Sequence, residues 1–176
     1  MKQVTKALNL GLAAFLCLFF ANALAHADVI YVSNYGDNTI TKFAPNGTPS
    51  TFANSGLNLP VGLAFDSSGN LYAANWGDDT ITKFAPNGTP SLFANSGLNN
   101  PAGLAFDSSG NLYAANVDNT IEKFSPAGVD LGAFANSGLN LPNFIAVQVP
   151  EPATLSLLAM GVVALLGGRR LRRRSS

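Results

Sequence analysis

Residues 34–74 are repeated almost verbatim as residues 75–115, a period of 41 residues with five differences: Tyr35/Trp76, Asn38/Asp79, Thr51/Leu92, Leu59/Asn100 and Val61/Ala102. A third, looser copy begins at Asn116. Within each copy, short apolar segments are separated by Asn-Gly, Gly-Asn and Pro punctuation; one set covers 62–66, 70–75, 80–85 and 90–95. These lengths suit strands, and four strands joined by tight turns make an antiparallel meander that must stack on a neighbour to bury its faces. The expected fold is all-β: a propeller-like array of three four-stranded antiparallel blades, about twelve strands, with helices only in the two terminal segments. Pro86-Asn87-Gly88 is expected to form a primed hairpin turn, and Asp66-Ser-Ser-Gly69-Asn70 an Asx-type turn with glycine at positive φ.

The phase of the repeat adds to its period. The array opens at Val29-Ile-Tyr-Val-Ser-Asn34, which matches a second segment, and closes at Phe144-Ile-Ala-Val147, which follows Pro142 in the place of a first segment. The first strand of the first blade is therefore expected at the end of the array, where it can complete that blade and close a ring. Three blades fall short of the roughly four to eight of ordinary closed propellers. Two arrangements meet the shortfall. The last strand completes the first blade of a second copy, making a homodimer with a six-bladed ring, or the chain stays an open arc with exposed edges.

The two ends of the chain are addresses rather than fold. Lys2 and Lys6 precede an apolar run over 8–20, and Ala25-His26-Ala27 offers a small-x-small cleavage site. Residues 1–27 are read as a secretory signal peptide, removed by signal peptidase between Ala27 and Asp28. That cut takes away the single Cys and the single His. A mature chain without them has no disulfide, no Cys–His or Ser–His nucleophile system, and no zinc site built on imidazole or thiolate. At the other end, 153–168 is an uncharged apolar run of 16 residues, about 24 Å long as a helix. It is short for a bilayer. Arg169, Arg170, Arg172, Arg173 and Arg174 follow it, however, and act as a membrane stop signal that keeps the C-terminus cytoplasmic.

The string Val149-Pro150-Glu151-Pro152-Ala153-Thr154-Leu155, the apolar run and the arginine cluster together resemble the PEP-CTERM sorting signal of Gram-negative bacteria. On this resemblance residues 150–176 form a sorting segment. It implies recognition by exosortase, a membrane transpeptidase-like enzyme, with processing near Pro150, Glu151 and Pro152. It also implies an exported precursor anchored in the inner membrane, a periplasmic ectodomain, and a final place at the cell surface or in the extracellular matrix. The family is associated with exopolysaccharide and biofilm production, which makes extracellular polysaccharide an expected partner.

Between these ends, residues 28–149 carry Pro60-Val-Gly-Leu-Ala-Phe-Asp-Ser-Ser-Gly-Asn-Leu-Tyr-Ala-Ala-Asn75 and then Asp79-Thr-Ile-Thr-Lys-Phe84, a pattern similar to NHL-type propeller repeats. Asn75 and Asn116 depart from that family, which usually ends the second strand in Asp. RNA-binding members have a basic surface, and here three Lys face nine carboxylates, a net charge of −6 over 28–149. Such a surface repels phosphate backbones, so no nucleic-acid partner is expected.

Near-identical copies place the same groups at each step around an axis, whereas catalysis brings different groups to one reacting atom. No catalytic residue and no required cofactor are expected, and the chain reads as a binding or scaffold protein. Oxygen ligands for Ca²⁺ are present in Asp66 and Asp107, which close first segments, and in Asn75 and Asn116, which close second ones. Tight turns ask for the same residue types, and no EF-hand spacing accompanies them. Tyr35 and Trp76 stand beside matching turns, where a ring either stacks on a sugar or packs a blade edge. The enzymatic alternative is a calcium-dependent propeller enzyme similar to lactonases or streptogramin lyases.

Overall fold

A computed structural model of the chain describes residues 28–148. The signal peptide with Ala25 and Ala27, the motif Pro150, Glu151 and Pro152, the apolar run and the arginine cluster all lie outside the described residues. Three antiparallel sheets build the described part. The first holds β1 (Ile30–Asn34), β2 (Thr39–Phe43) and β3 (Pro49–Ala53). The second holds β4 (Pro60–Phe65), β5 (Leu71–Asn75), β6 (Thr80–Phe84) and β7 (Pro90–Ala94), in that order from one edge to the other. The third holds β8 (Pro101–Phe106), β9 (Leu112–Asn116), β10 (Thr120–Phe124) and β11 (Asp130–Ala135) in the same order. Among the described residues no helix is long and apolar enough to cross a membrane.

The expected blades are present, with two corrections. Among the described residues there are eleven strands, against about twelve expected. Phe144 to Val147 runs without strand pairing, because a strand exists only against a partner ladder and this segment faces β1 across a cavity lined by Tyr31, Val32, Phe144 and Ile145. The second correction concerns the hairpin turn. Gly88 takes φ 84° and its N–H reaches the Ala85 carbonyl at 2.8 Å, while Asn87 has no positive φ. This is a tight turn followed by a left-handed glycine, a three-residue hairpin loop. Pro86 decides it, because proline fixes φ near −65° and cannot occupy the first central position of a primed turn.

The second strand of each complete blade is its most buried element. In β5, Leu71, Tyr72, Ala73, Ala74 and Asn75 are all buried, since a sheet covered on both faces has no solvent side to alternate toward. Aromatic rings form the seams between blades. Tyr31 meets Phe52 of its own blade and Phe65 of the next, each at 5.0 Å, and Phe52 meets Phe84 at 6.2 Å. The second seam repeats this with Tyr72 against Phe93 at 4.9 Å and Phe106 at 4.8 Å, and Phe93 against Phe124 at 6.4 Å. All are edge-on contacts, the geometry that ring quadrupoles favour.

Polar latches cross the same seams. The side chain of Asn38 accepts the Leu59 N–H, Asp79 that of Asn100, and Asn119 that of Leu141, each at 2.6 Å. The three acceptors and the three residues they hold all sit at positive φ, between 44° and 67°. The third latch places the segment after Leu141 as β4 and β8 are placed after the first two. Backbones also approach closely along the axis. A Cβ on Gly62 would strike the Ala102 carbonyl, and one on Gly103 would come within 2.9 Å of the Asn143 carbonyl.

Candidate functional site

One end of the second and third blades is built around an aspartate. Asp66 follows β4, and its Oδ1 accepts the Ser68 and Asn70 backbone N–H groups, each at 2.9 Å. Its Oδ2 accepts the Asn70 amide at 2.8 Å and the Tyr72 hydroxyl at 3.2 Å. Burial pushes the carboxyl up, but these hydrogen bonds outweigh burial and hold it below its ordinary value. Burial, then the Asp66 charge and the hydrogen bond to it, raise the Tyr72 phenol. Lys83 lies 5.6 Å from the Tyr72 ring centroid and 4.0 Å from Asp66. Asp107, Asn111, Tyr113 and Lys123 repeat the set in the third blade, with Lys123 5.3 Å from its ring. The lysines thus cover tyrosine faces rather than simply projecting into solvent.

The other end is built around an asparagine. Asn75, 1% exposed, donates to the Thr80 and Thr82 hydroxyls at 2.9 and 3.1 Å and to the Gly56 carbonyl at 3.3 Å. Its carbonyl accepts the Asn58 N–H at 3.2 Å. The amide has two hydrogens to share among these three acceptors, and a carboxylate in its place would leave the Gly56 carbonyl without a donor. Asn116 keeps the bonds to Thr120 and Gly97, while its buried Oδ1 has no partner. Where β6 has Thr82, β10 has Glu122, 7% exposed, beside Asp130 and Asp118. Burial first, then Asp130 and Asp118, raise the Glu122 carboxyl to about 7.

The four candidate calcium residues are not brought together. Asp66 lies next to the Phe65–Leu71 pairing and Asn75 next to the Pro60 pairing, at opposite ends of β5. That separation is about 13 Å along the strand. Asp107 and Asn116 are divided in the same way along β9. The described residues contain no group of three or more His, Cys, Asp or Glu able to hold a metal ion. Of the two candidate stacking residues, Tyr35 is 50% exposed and Trp76 is half-buried. Both stand at the asparagine end, immediately after β1 and β5.

Three cavities border these groups. One of about 350 Å³ opens along the axis between Tyr31, Ser33, Val61, Gly62, Leu104 and Phe144. One of about 300 Å³ lies at the asparagine end, with Asn75, Asp78, Thr80, Thr82 and Ser91 on its walls. One of about 390 Å³ lies at the aspartate end, between Ser68, Tyr72, Lys83, Phe106 and Ser109. Sequence reasoning did not find the latch residues, the tyrosine–lysine stacks or the Glu122–Asp130 pair. The recurrence of Lys at 42, 83 and 123 and the change from Thr82 to Glu122 were the signals available for two of them.

Comparison with known proteins adds an address and a fold. Residues 148–174 match the PEP-CTERM protein-sorting motif, which takes in Pro150, Glu151, Pro152 and all five arginines of the tail. No curated protein matches the chain. Among solved structures it resembles a chain of a nidogen/laminin complex, with TM-score 0.60 and 24% identity, over 68% of this chain and 48% of that one. It also resembles a streptogramin B lyase, with TM-score 0.60 and 16% identity, over 69% and 42%. A calcium-binding regucalcin from Agrobacterium tumefaciens matches with TM-score 0.57 and 12% identity, over 68% and 45%. These neighbours are propeller proteins, and the chain spans less than half the length of each. The chain is an all-β array of propeller blades with a PEP-CTERM sorting motif, an exported and membrane-anchored precursor that exosortase recognises.

Proposed function

We propose that the protein is a non-catalytic binding or scaffold module of the cell surface or extracellular matrix, with extracellular polysaccharide as its partner. The observation that carries this reading is the mutual engagement of the polar groups in the second blade. Asp66, Asn70, Tyr72 and Lys83 engage one another, as do Asn75, Thr80 and Thr82, so the residue types suited to catalysis are committed to holding turns and strands. Tyr35 and Trp76 lie outside those networks, at one end of neighbouring blades, where flat rings offer stacking faces to sugars. No metal is required by this reading, and the calcium-dependent enzyme is its competitor. The surface of a Gram-negative cell that makes exopolysaccharide supplies the ligand.

Calorimetric titration of the protein with exopolysaccharide purified from its host is the test, with Ca²⁺ alone titrated in parallel. Binding is expected, with Trp76→Ala weakening it about tenfold, a loss of about 1.4 kcal/mol. Absence of polysaccharide binding, together with a stoichiometric Ca²⁺ site, would overturn the proposal in favour of the enzyme.

A further inference from the structure

We infer that two copies of this chain close one ring, head to tail, with residues 145–147 of each copy forming the innermost strand of the other's first blade. The two seams inside the chain show what a seam requires, and the two ends of the array carry the unmatched halves of a third. On the leading face of the last blade, Tyr113 and Phe134 meet at 5.1 Å, as Tyr31 and Phe52 do and as Tyr72 and Phe93 do. Among the described residues no blade follows here. Phe134 is 64% exposed, while Phe52 and Phe93 are half-buried. On the trailing face of the first blade, Phe43 stands where Phe84 and Phe124 stand in the others. Those two are fully buried against the preceding blade, and Phe43 is half-buried.

The backbone makes the same case. The first sheet has three strands where the others have four, and the edge it lacks a strand on is β1. Ile30 and Val32 on that edge are 61% and 40% exposed, whereas their counterparts Leu71 and Ala73 are 1% and 0% exposed. The segment able to fill the edge is already in position. The Asn119–Leu141 latch and the close approach of Gly103 to Asn143 set residues 142–147 beside β8, as β8 is set beside β4. Carrying over the β4–β5 register, Leu63 with Ala73, Ala64 with Tyr72 and Phe65 with Leu71, pairs Ile145 with Val32, Ala146 with Tyr31 and Val147 with Ile30. An edge strand and an unpaired extended segment on complementary ends of one molecule form a heterologous contact, which closes or propagates according to the arc it spans. The chain covers 42–48% of its propeller neighbours, so two copies supply about one whole ring. One seam residue differs from the internal pattern. Phe144 stands where Gly62 and Gly103 stand and is 89% exposed, so its ring turns into the axial cavity instead of lying between strands.

Disulfide trapping in the full-length chain tests the register directly. With Cys17→Ser removing the native thiol, the pair Ile30→Cys and Val147→Cys is oxidised in host membranes and the products are weighed. The expected product is a covalent dimer with two disulfides, and the two single-cysteine chains expressed together are expected to cross-link as well. A disulfide within one chain, no disulfide, or a ladder of higher species would each overturn the two-copy ring. Phe134→Asp supplies a second measurement on the detergent-solubilised chain, since an exposed side chain can change without loss of the fold. The dimer dissociation constant is expected to rise about tenfold or more, and an unchanged constant would overturn the seam.

Discussion

Single positions in this chain come with their own control, because the same site occurs again one copy later in a nearly identical setting. Leu59 and Asn100 are such a pair, both latched and both left-handed, at φ 48° and 44°. Leucine is disfavoured there, while asparagine tolerates the region and Asn100 also donates to the Trp76 carbonyl at 2.8 Å. Leu59→Asn is expected to stabilise the fold by about 1 kcal/mol through relief of strain and the added bond. A rise in the denaturation midpoint checks this; a fall would mean that the half-buried leucine side chain contributes more than strain costs. At this scale the sequence was legible where a residue acts on near neighbours. Asp66 could be read as a turn residue because its partners, Ser68 and Asn70, follow within four positions. The latch of Asn38 could not, because its partner is 21 residues away and is set by the next blade.

The third blade departs from the second at the level of the strand pair β10 and β11. Its entry loop is one residue shorter, Asn116 pairing with Thr120 where Asn75 pairs with Thr80. The residue is recovered in β11, where Gly132 at φ 88° accompanies a register shift that β7 lacks. Strand positions were legible because turn residues punctuate them, whereas this bulge was not, since one deletion and one insertion leave the overall period unchanged. The same pair brings Glu122 against Asp130. Glu122 ionises near 4.5 when unfolded and near 7 in the fold. Its contribution to stability is therefore complete below about pH 4.5 and is lost as pH rises through 7. The lowered Asp66 and Asp107 act oppositely, their contribution being lost only as pH falls below the ordinary carboxylate range. Unfolding midpoints should consequently drop between pH 5 and pH 8, by on the order of 2 kcal/mol in stability. Glu122→Gln, which cannot ionise, should flatten that slope; an equal drop in the variant would remove Glu122 as its source.

Across the whole molecule, the array and its address are joined by very little chain. Five residues separate Val147 from Ala153, where the apolar run begins, a reach of about 20 Å at full extension. The sorting motif starts at residue 148, directly after the segment assigned to the innermost strand of the ring. Blade count and phase were legible in the repeat, and the tail was legible in its order of motif, apolar run and arginines. What fills the open end of the arc was not, because one copy of a sequence contains no second chain. The two parts have separable consequences. Replacing Pro150, Glu151 and Pro152 with alanine removes the feature exosortase recognises and leaves the blades untouched. The altered chain is expected to stay in the membrane fraction with Arg169 to Arg174 still attached, while the natural chain is recovered outside the cell at a mass lacking them. An external natural chain that retains the arginines would show that export to the surface proceeds without cleavage at the motif. Equal cross-linking of Ile30→Cys with Val147→Cys in both forms would place ring closure before processing, since the strand is then exchanged while both chains are still anchored.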